Sequence, residues 1–192
     1  MKDDSSVNGR IAQQVRLLRS ERGLSLDALS NQCGVSRSML SLIERGETSP
    51  TAVVLDKLAA GLGVPLASLF DDPASITEPV ARFADQVTWR DPHSGYLRRN
   101  VSPEGLQSPT RIVDVTFPPR ARVTYEAGAR TPAVVQQIWV LDGRMEVTYG
   151  ADSYQLEAGD CLAVPLDSPN SFHNPGDVPA RYAVVLTTLA RS

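Results

Sequence analysis

The hydrophobic period of the chain changes once, and this change constrains the fold more than any other feature. Up to about residue 70, apolar residues such as Ile11, Val15 and Leu18 recur at the spacing of one helix face. After the segment DDPASITEP, residues 71–79, short β-branched and aromatic runs alternate with turn signals. The sequence therefore predicts a multidomain α + β protein, with a helical domain and a β-rich domain joined by a proline-containing linker.

Five short helices are predicted for residues 9–70, because glycines interrupt the apolar pattern at regular intervals and glycine ends helices readily. The last of them is short and ends near Phe70. Serine or threonine before a helix supplies an N-cap, and proline is tolerated at the first helical position. The predicted N-caps are Ser25, Ser36 and Ser49, the last followed by Pro50.

Eight β-rich runs follow the linker, at a spacing that is typical of an all-β barrel or jelly roll. Asp142-Gly143 stands between two of these runs and predicts a hairpin. Cys161 lies within another run and is expected in the core as a small apolar residue. The predicted division is 9–70 for the helical domain, 71–80 for the linker and 81–192 for the β domain.

Composition narrows the class of protein. The 192 residues carry a formal net charge of −3 and a pI of about 5.4, which argues against non-specific coating of nucleic acid but allows a local DNA-reading face. No apolar run approaches the roughly 18–20 residues of a membrane span, and the start MKDDSSVNGR has no signal-peptide pattern. Two distant cysteines indicate reduced thiols. A cytoplasmic protein with no membrane partner is expected.

The stretch SLDALSNQCGVSRSMLSLIERGETSPT, residues 25–51, predicts two short helices that meet at Gly34. A tight turn between helices needs a permissive residue at that position, and glycine is one. The second helix then presents short donors and arginines on its outward face, suited to phosphates and base edges in the major groove. The predicted DNA-binding residues are Ser36, Arg37, Ser38, Ser41 and Arg45.

Residues 9–70 resemble the DNA-binding domain of XRE-family, lambda-repressor-like regulators. The motif GLSLDALSNQCGVSRSMLSLIERGETSPT agrees with the family pattern at the Gly turn, the Val-Ser start of the second helix and the ending Ile-Glu-Arg-Gly. It departs at Leu26, where the family often has glutamine, and at Ser30, where alanine is usual. The resemblance implies a homodimer that reads a palindromic double-stranded DNA operator, with recognition helices about 34 Å apart.

Residues 122–186 resemble the cupin fold, a small double-stranded β-helix barrel. The stretch EAGDCLAVPLDSPNSFHNPGDVPARYAVV matches the second cupin motif at Gly159, Pro165 and Asn174. The first motif is recognisable in PPRARVTYEAGARTP and in Gln136 through Gly143. A helix-turn-helix joined to a C-terminal cupin resembles a known regulator architecture, which implies that the barrel senses a small molecule.

The resemblance also implies where a cupin metal would bind, and the usual ligands are missing. The glutamate position of the first motif is Gln136, its histidine positions fall within residues 129–132, and the second-motif histidine position is Asn170. The chain has only His93 and His173, both outside these positions. We therefore expect no metal, no other cofactor and no catalytic residue.

Strand alternation places Gln136 and Ile138 on one face, which by the resemblance is the barrel interior, together with Asn170 and Phe172. Amides donate and accept, so they suit a polar ligand or ordered water. Arginines near this site, and Tyr125, would influence the choice of ligand, and an arginine favours an anion. The candidate arginines are Arg98, Arg111, Arg122 and Arg130. The predicted effector pocket is Gln136, Ile138, Asn170, Phe172, Tyr125 and Arg111.

These features together predict a sequence-specific, homodimeric DNA-binding regulator whose metal-free barrel binds a small organic effector, which is an anion if one of the candidate arginines enters the pocket. Two other functions remain open from the sequence alone. One is a cupin isomerase or dioxygenase that carries a DNA-binding domain, and the other is a DNA-binding scaffold whose barrel only dimerises. In the plainest alternative, Gln136 and Asn170 bond each other and a water within a structural barrel.

Overall fold

A computed structural model describes residues 4–72, 78–104, 108–126 and 133–189, with side chains from Val7 onward. In that part of the chain, the helical domain has four α-helices rather than the predicted five. The fifth segment, Leu66–Phe70, is a 3₁₀ helix, because it is only five residues long and the backbone is already extended at Asp71. The α-helices are α1 (Asp4–Glu21), α2 (Leu26–Cys33), α3 (Arg37–Glu44) and α4 (Ala52–Leu62).

Side-chain N-caps begin three of these helices. Ser25 accepts a hydrogen bond from the N–H of Ala28, and Ser36 accepts one from the N–H of Met39, as the sequence predicted. The prediction of Ser49 as the third cap was wrong, because Thr51 caps α4 and Ser49 Oγ donates to the side chain of Asn8.

The β domain contains ten strands in the described residues, two more than the eight predicted runs. The additional strands are β1 and β9, which have only three and four residues and so give a weak sequence signal. The strands are β1 (Thr88–Arg90), β2 (Leu97–Asn100), β3 (Thr110–Phe117), β4 (Arg122–Tyr125), β5 (Val134–Asp142), β6 (Arg144–Tyr149), β7 (Asp152–Glu157), β8 (Cys161–Pro165), β9 (Asn170–His173) and β10 (Ala180–Thr188).

The strands form two antiparallel sheets, with the orders β1-β2-β3-β10-β5-β8 and β4-β9-β6-β7. The sheets face each other, since the rings of Phe172 on β9 and Tyr182 on β10 stack with centroids 5.8 Å apart. The pairing of the described strands does not close into the continuous barrel that the sequence predicted. Cys161 is exposed rather than in the core, because it lies on the outward side of β8 opposite Trp139.

The prediction of a hairpin at Asp142-Gly143 was also wrong. β5 pairs with β10 and β8, whereas β6 pairs with β7 and β9, so the turn carries the chain from one sheet to the other. Gly143 has a φ of +76°, and a Cβ there would lie 3.1 Å from the Cα of Ala180 on β10. The glycine therefore allows a tight corner between the sheets, where a larger residue would meet backbone.

One continuous hydrophobic core extends through both domains. A row of aromatic rings, here called the aromatic row, leads from the 3₁₀ helix of the helical domain to the space between the sheets. Adjacent ring centroids in the row are 5.5 to 6.1 Å apart, a separation that is typical of favourable aromatic pairs. The row consists of Phe70, Trp89, Tyr96, Phe117, Tyr182, Phe172 and Tyr125.

Polar contacts hold the same junction. Asp91 is buried after β1, and its Oδ1 accepts the N–H of Ala52 at 2.9 Å, so the β domain satisfies the first backbone donor of α4. Its Oδ2 accepts from the backbone and the hydroxyl of Ser94. The Nζ of Lys57 on α4 also lies 2.8 Å from the Oε2 of Glu126, just after β4. The two domains are therefore packed on each other along α4.

The linker begins with a partly buried ion pair. Asp71 lies 3.2 Å from Arg111 of β3, and Arg10 of α1 donates to Glu104 at 3.1 Å. Burial raises the pKa of Asp71 to about 6 and Glu104 reinforces this, although the nearby Arg111 guanidinium opposes it. The predicted linker spans 71–80, and its central residues 73–77 lie outside the described part of the chain.

The raised pKa of Asp71 predicts a pH-dependent stability. Between about pH 4 and pH 6 the folded protein binds more protons at this carboxyl than the unfolded chain, so the free energy of unfolding should fall as pH rises through that window. After allowance for solvent exposure, the expected loss is about 1–2 kcal/mol. Urea unfolding at pH 4.5 and pH 7 measures it. Asp71→Asn should make the free energy of unfolding nearly independent of pH in this window. The same pH dependence in Asp71→Asn as in the wild type would refute the prediction, and Asp72→Asn, the matched control, should keep the wild-type dependence.

α4 approaches α2 so closely that only glycine fits at position 61. A Cβ built on Gly61 would lie 2.6 Å from the Cβ of Cys33. Gly61→Ala should therefore destabilise the protein by about 1–2 kcal/mol, because overpacking costs more than the helix propensity of alanine returns. Gly9→Ala in α1 is the control: its Cβ would meet nothing within 4 Å, so thermal unfolding should show equal or greater stability. A stabilising Gly61→Ala would contradict the close approach.

Candidate functional site

The predicted DNA-reading helix is α3, which follows a tight turn after α2. Gly34 ends α2 with a φ of +67°, and its N–H donates to the carbonyl of Ser30 at 2.9 Å. Leu40 and Ile43 are buried against the rest of the domain, so the opposite side of α3 is left to solvent. Of the predicted DNA-binding residues, four are exposed and Ser41 is half-buried. The exposed ones are Ser36, Arg37, Ser38 and Arg45.

Both arginines on this face are engaged by nearby carboxylates. The Nε of Arg37 lies 3.2 Å from Asp27 of α2, with both side chains largely exposed. Arg45 donates to both carboxylate oxygens of Glu47, at 2.7 and 2.8 Å, and to the hydroxyl of Ser41. The hydrogen bonds with Glu47 raise the pKa of Arg45 and lower that of Glu47. Exposed pairs of this kind are weak, so a phosphate could replace either carboxylate at little cost.

A third ion pair fixes where α3 lies. Arg19 of α1 donates to both carboxylate oxygens of Glu44 at 2.6 and 2.9 Å, and to the carbonyl of Leu24 at 2.7 Å. The Glu44 side chain is only 9% exposed. Hydrogen bonding to Glu44 raises the pKa of Arg19, although partial burial acts in the opposite direction. Glu44 therefore serves the packing of α3 on α1 rather than the DNA-reading face.

A cavity lies between the two sheets and beside α4. The centre of a water-sized sphere can move through about 70 Å³ of this cavity. A single water molecule needs roughly 10–15 Å³ of such space. Room for about five water-sized groups follows, enough for a small ligand. Residues of both sheets and of the helical domain line it: Asp56, Pro65, Leu66, Tyr96, Arg98, Val115, Tyr125, Val134, Gln136, Leu166, Asn170, Phe172, Tyr182, Val184 and Leu186.

The structure brings four of the six predicted pocket residues together at this cavity. Gln136, Asn170, Phe172 and Tyr125 line it. Ile138 is fully buried on the same face of β5 but is not part of the described lining.

The other predicted residue, Arg111, lies away from the cavity. Its guanidinium donates to Asp71, the first residue of the predicted linker, and to the carbonyl of Pro103. Of the other arginines that the sequence nominated, Arg98 lines the cavity and Arg122 instead contacts Ser171 and Glu146. Arg130 lies outside the described residues.

The polar atoms of the cavity are incompletely satisfied within the described residues. Gln136 Nε2 and Asn170 Oδ1 are buried there without a hydrogen-bond partner. The hydroxyls of Tyr96 and Tyr125 lie 3.2 Å apart. Burial raises the pKa of Tyr125 well above its usual value, so this hydroxyl stays neutral at physiological pH. The neutral groups of the wall thus offer one free amide donor, one free amide acceptor and tyrosine hydroxyls, and the charged side chains of Asp56 and Arg98 line the cavity beside them.

Three lining residues come from the helical domain, and sequence reasoning did not place them in the pocket. They are Asp56 of α4 and Pro65 and Leu66 at the start of the 3₁₀ helix. The available signal was Asp56 itself, an acidic residue in the otherwise apolar helix AVVLDKLAAGL. The period change had suggested two separate units, so a shared cavity was not expected.

The residues at the cupin metal position do not suit a metal. Gln136 and Asn170 are neutral amides, and among the described residues no three His, Cys, Asp or Glu side chains are grouped as a metal site requires. His173 Nδ1 lies 2.7 Å from Glu146 Oε2, on the side of β9 away from Asn170 and Phe172. His93 is exposed. The first-motif positions 129–132 lie outside the described residues and contain no histidine.

None of the described helices combines the length and the apolar character that crossing a bilayer requires.

A compact helix-turn-helix domain beside a ligand-sized cavity defines the class: a DNA-binding protein fused to a small β domain. The Helix-turn-helix model HTH_3 matches residues 15–69, and the Cupin domain model Cupin_2 matches residues 115–186. The chain belongs to the XRE-type helix-turn-helix transcriptional regulators that carry a C-terminal cupin domain.

Full-length relatives agree with this membership. The HTH-type transcriptional regulator SutR of Escherichia coli (strain K12) is 27% identical over 180 residues, covering 87% of this chain and 88% of its own. The regulator PuuR of the same organism is 24% identical over 188 residues, covering 91% of each. The crystal structure of an HTH_3 family transcriptional regulator from Vibrio cholerae has a TM-score of 0.79 and 26% identity, covering 98% of this chain and 100% of its own.

Proposed function

We propose that this regulator binds a palindromic operator as a homodimer in the cytoplasm, and that a small organic effector in the inter-domain cavity changes its DNA affinity. The DNA-binding unit is the helical domain, residues 9–70, and the effector domain is residues 81–192. The predicted contacts to DNA lie on α3 and its two caps: Ser36, Arg37, Ser38, Ser41 and Arg45. The effector contacts proposed from the cavity are Gln136, Asn170, Phe172 and Tyr125.

The sensing proposal rests mainly on one observation: both domains contribute residues to the cavity wall. Asp56, Pro65 and Leu66 come from the DNA-binding domain, while most of the wall comes from the β domain. A ligand that contacts both domains binds one relative arrangement of them better than another. By linkage, a ligand with different affinities for two states shifts the population between them, and so changes DNA affinity.

The exposed face of the six-stranded sheet supports dimerisation. Trp139 is 49% exposed and Ile112 is 41% exposed, on strands that flank β10. Ala183 lies opposite Trp139 and Val185 lies opposite Ile112, so the apolar side chains are contiguous across three strands. Exposed apolar patches on otherwise polar surfaces commonly mark protein interfaces. A second copy on this face would give the two-fold symmetry that a palindromic operator needs.

The proposal assigns the β domain a binding role and no catalysis. The side chains at the cupin metal position are amides, which neither act as general acids or bases at neutral pH nor hold a transition metal well. The full-length relatives are named as transcriptional regulators. Elemental analysis of the purified protein checks this point, and stoichiometric iron, manganese, nickel or zinc would contradict it.

Arg37→Ala tests the DNA-reading face. Bound sequences are first selected from random duplex DNA to supply the operator. The variant should then bind that operator about 5- to 150-fold more weakly, equal to about 1–3 kcal/mol, with relaxed specificity at one base pair if the contact is bidentate to a base. Fluorescence anisotropy at fixed salt measures the affinity.

The control is Arg90→Ala, which removes an exposed arginine from β1 in the other domain. It should leave operator affinity unchanged apart from a small electrostatic loss. Equal affinities for wild type and Arg37→Ala, with the same base preferences, would remove Arg37 from the proposed interface.

A further inference from the structure

Arg98 is a buried arginine whose side chain points between the sheets. It lies on β2 opposite Val115 of β3, and only 8% of the residue is exposed. Its neighbour Arg99 points to the other side of the strand, where it pairs with Asp114. Buried arginines are rare unless they are paired, so the partner of Arg98 needs an explanation.

The unpaired atoms of Arg98 lie along one edge of the guanidinium. Both Nε and Nη2 are buried without a hydrogen-bond partner in the described residues. Their N–H bonds are roughly parallel, which is the geometry that binds both oxygens of a carboxylate at once. The guanidinium also packs over the ring of Phe70, with its carbon 5.7 Å from the ring centroid. The guanidinium is therefore held in place, and the Asp56 carboxylate of the cavity wall acts on its charge, but within the described residues no acceptor bonds this edge.

The remaining cavity wall determines what kind of anion fits. Apolar side chains, including Val184, Leu186 and Phe172, provide much of the lining. The free donor of Gln136 and the free acceptor of Asn170 are the other polar groups without partners within the described chain. About 70 Å³ of accessible space limits the ligand to a few non-hydrogen atoms beyond the carboxylate. The wall therefore suits a short organic chain better than a fully charged inorganic ion.

We propose that the effector is a small organic monocarboxylate, and that Arg98 binds its carboxylate through Nε and Nη2 while the organic part lies against the apolar wall. This inference rests on the proposed function, whose sensing site it specifies. Arg98 lines the cavity and also packs over the ring of Phe70 in the DNA-binding domain. The ligand charge is therefore placed at the domain junction.

Calorimetry on the full-length protein tests the assignment in matched pairs of probes. The probes are acetate, propanoate, butanoate, 2-hydroxypropanoate and 2-aminopropanoate, each compared with its primary amide at constant ionic strength. At least one acid should bind, and its amide should bind about tenfold more weakly or worse, because the amide cannot make the charged bidentate contact. Inorganic phosphate and propylamine are the remaining arms. No binding by any of the acids, or better binding by the amides, phosphate or propylamine, would overturn the proposal.

Arg98→Met supplies the second test, since methionine keeps an apolar stem of similar length without the charge. Acid binding should fall about 10- to 100-fold, and the difference between acid and amide should disappear. Arg99→Met is the matched control, because it removes the adjacent arginine from the opposite side of the same strand. Undiminished acid binding in Arg98→Met would overturn the assignment. If Arg98→Met does not fold, the acid-against-amide comparison in the wild-type protein decides the matter alone.

Different results would refute the sensing function and the carboxylate site. If an acid binds through Arg98 but operator affinity does not change, the carboxylate site stands and sensing is refuted. If a ligand of another class changes operator affinity while no acid binds, sensing stands and the carboxylate assignment is refuted.

Discussion

Replacing Asp91 with alanine should lower the free energy of unfolding by about 2–4 kcal/mol. Its Oδ1 accepts the N–H of Ala52 and its Oδ2 accepts the N–H of Ser94, and Asp91 itself is only 2% exposed. Alanine would leave three donors without their acceptor: the buried N–H of Ala52, and the N–H and hydroxyl of the partly buried Ser94. A buried donor that loses its acceptor costs about 1–3 kcal/mol, and a partly buried one costs less. Urea unfolding followed by circular dichroism measures the loss, because the helical signal depends on α4 and its neighbours.

The effect should extend beyond stability, because Asp91 belongs to the β domain and caps a helix of the DNA-binding domain. Asp91→Ala should weaken the dependence of operator affinity on any cavity ligand. Ser94→Ala is the control: it removes one partner of Asp91 and leaves the cap on α4 intact, so a change of less than about 1 kcal/mol is expected. Equal effects of the two variants would show that the inter-domain cap is unimportant.

Glu44→Ala should also cost about 2–4 kcal/mol, because it leaves the guanidinium of Arg19 without its carboxylate in a largely buried setting. The side chains of Arg19 and Glu44 are 17% and 9% exposed, and breaking a buried pair is more costly than breaking an exposed one. Since this pair holds α3 on α1, the variant should also bind the operator more weakly. Urea unfolding and fluorescence anisotropy measure the two losses.

Glu47→Ala is the matched comparison. Glu47 accepts from Arg45 with nearly the same distances as Glu44 accepts from Arg19, but both partners are about half exposed. Little change in stability is therefore expected. Removal of this carboxylate should raise operator affinity slightly, because it frees Arg45 and removes negative charge next to the DNA. If Glu44→Ala and Glu47→Ala destabilised the protein equally, burial would not be the deciding variable.

The sequence predicted local features well where a single side chain decides the outcome. Ser25 and Ser36 cap their helices, and Gly34 makes the turn before α3. Alternation along β5 placed Gln136 inside, where it is 4% exposed, and left Trp139 outside. These predictions rest on neighbouring residues and on the strand period, which the sequence contains directly.

Predictions that depended on distant partners were wrong. Asp142-Gly143 has the composition of a hairpin turn, but the pairing of β5 with β10 and β8 carries the chain to the second sheet instead. Ser49 and Pro50 have the composition of a helix start, but α4 begins at Ala52, where Asp91 from the other domain accepts its N–H. Arg111 was nominated for the pocket and instead binds Asp71, because no local pattern shows which arginine meets which carboxylate.

The position of the cavity is the feature that the sequence could least reveal. The change of hydrophobic period predicts two separate domains, and so an effector site inside the β domain alone. In the structure, α4 and the 3₁₀ helix supply part of the wall, and the aromatic row joins this wall to the core of the sheets. A ligand there does not need a long path to influence DNA binding, because it would touch the DNA-binding domain directly.

Operator affinity measured with and without the tightest-binding acid of the calorimetric panel tests the central proposal most directly. The sodium salt is compared with sodium chloride at equal ionic strength, because DNA affinity depends strongly on salt. A saturating ligand in the inter-domain cavity should change the dissociation constant for the selected operator by about 5- to 150-fold, the usual range of allosteric coupling, and Arg98→Met should abolish the change. An operator affinity that stays the same with the cavity saturated would contradict the proposal that this regulator senses its effector there.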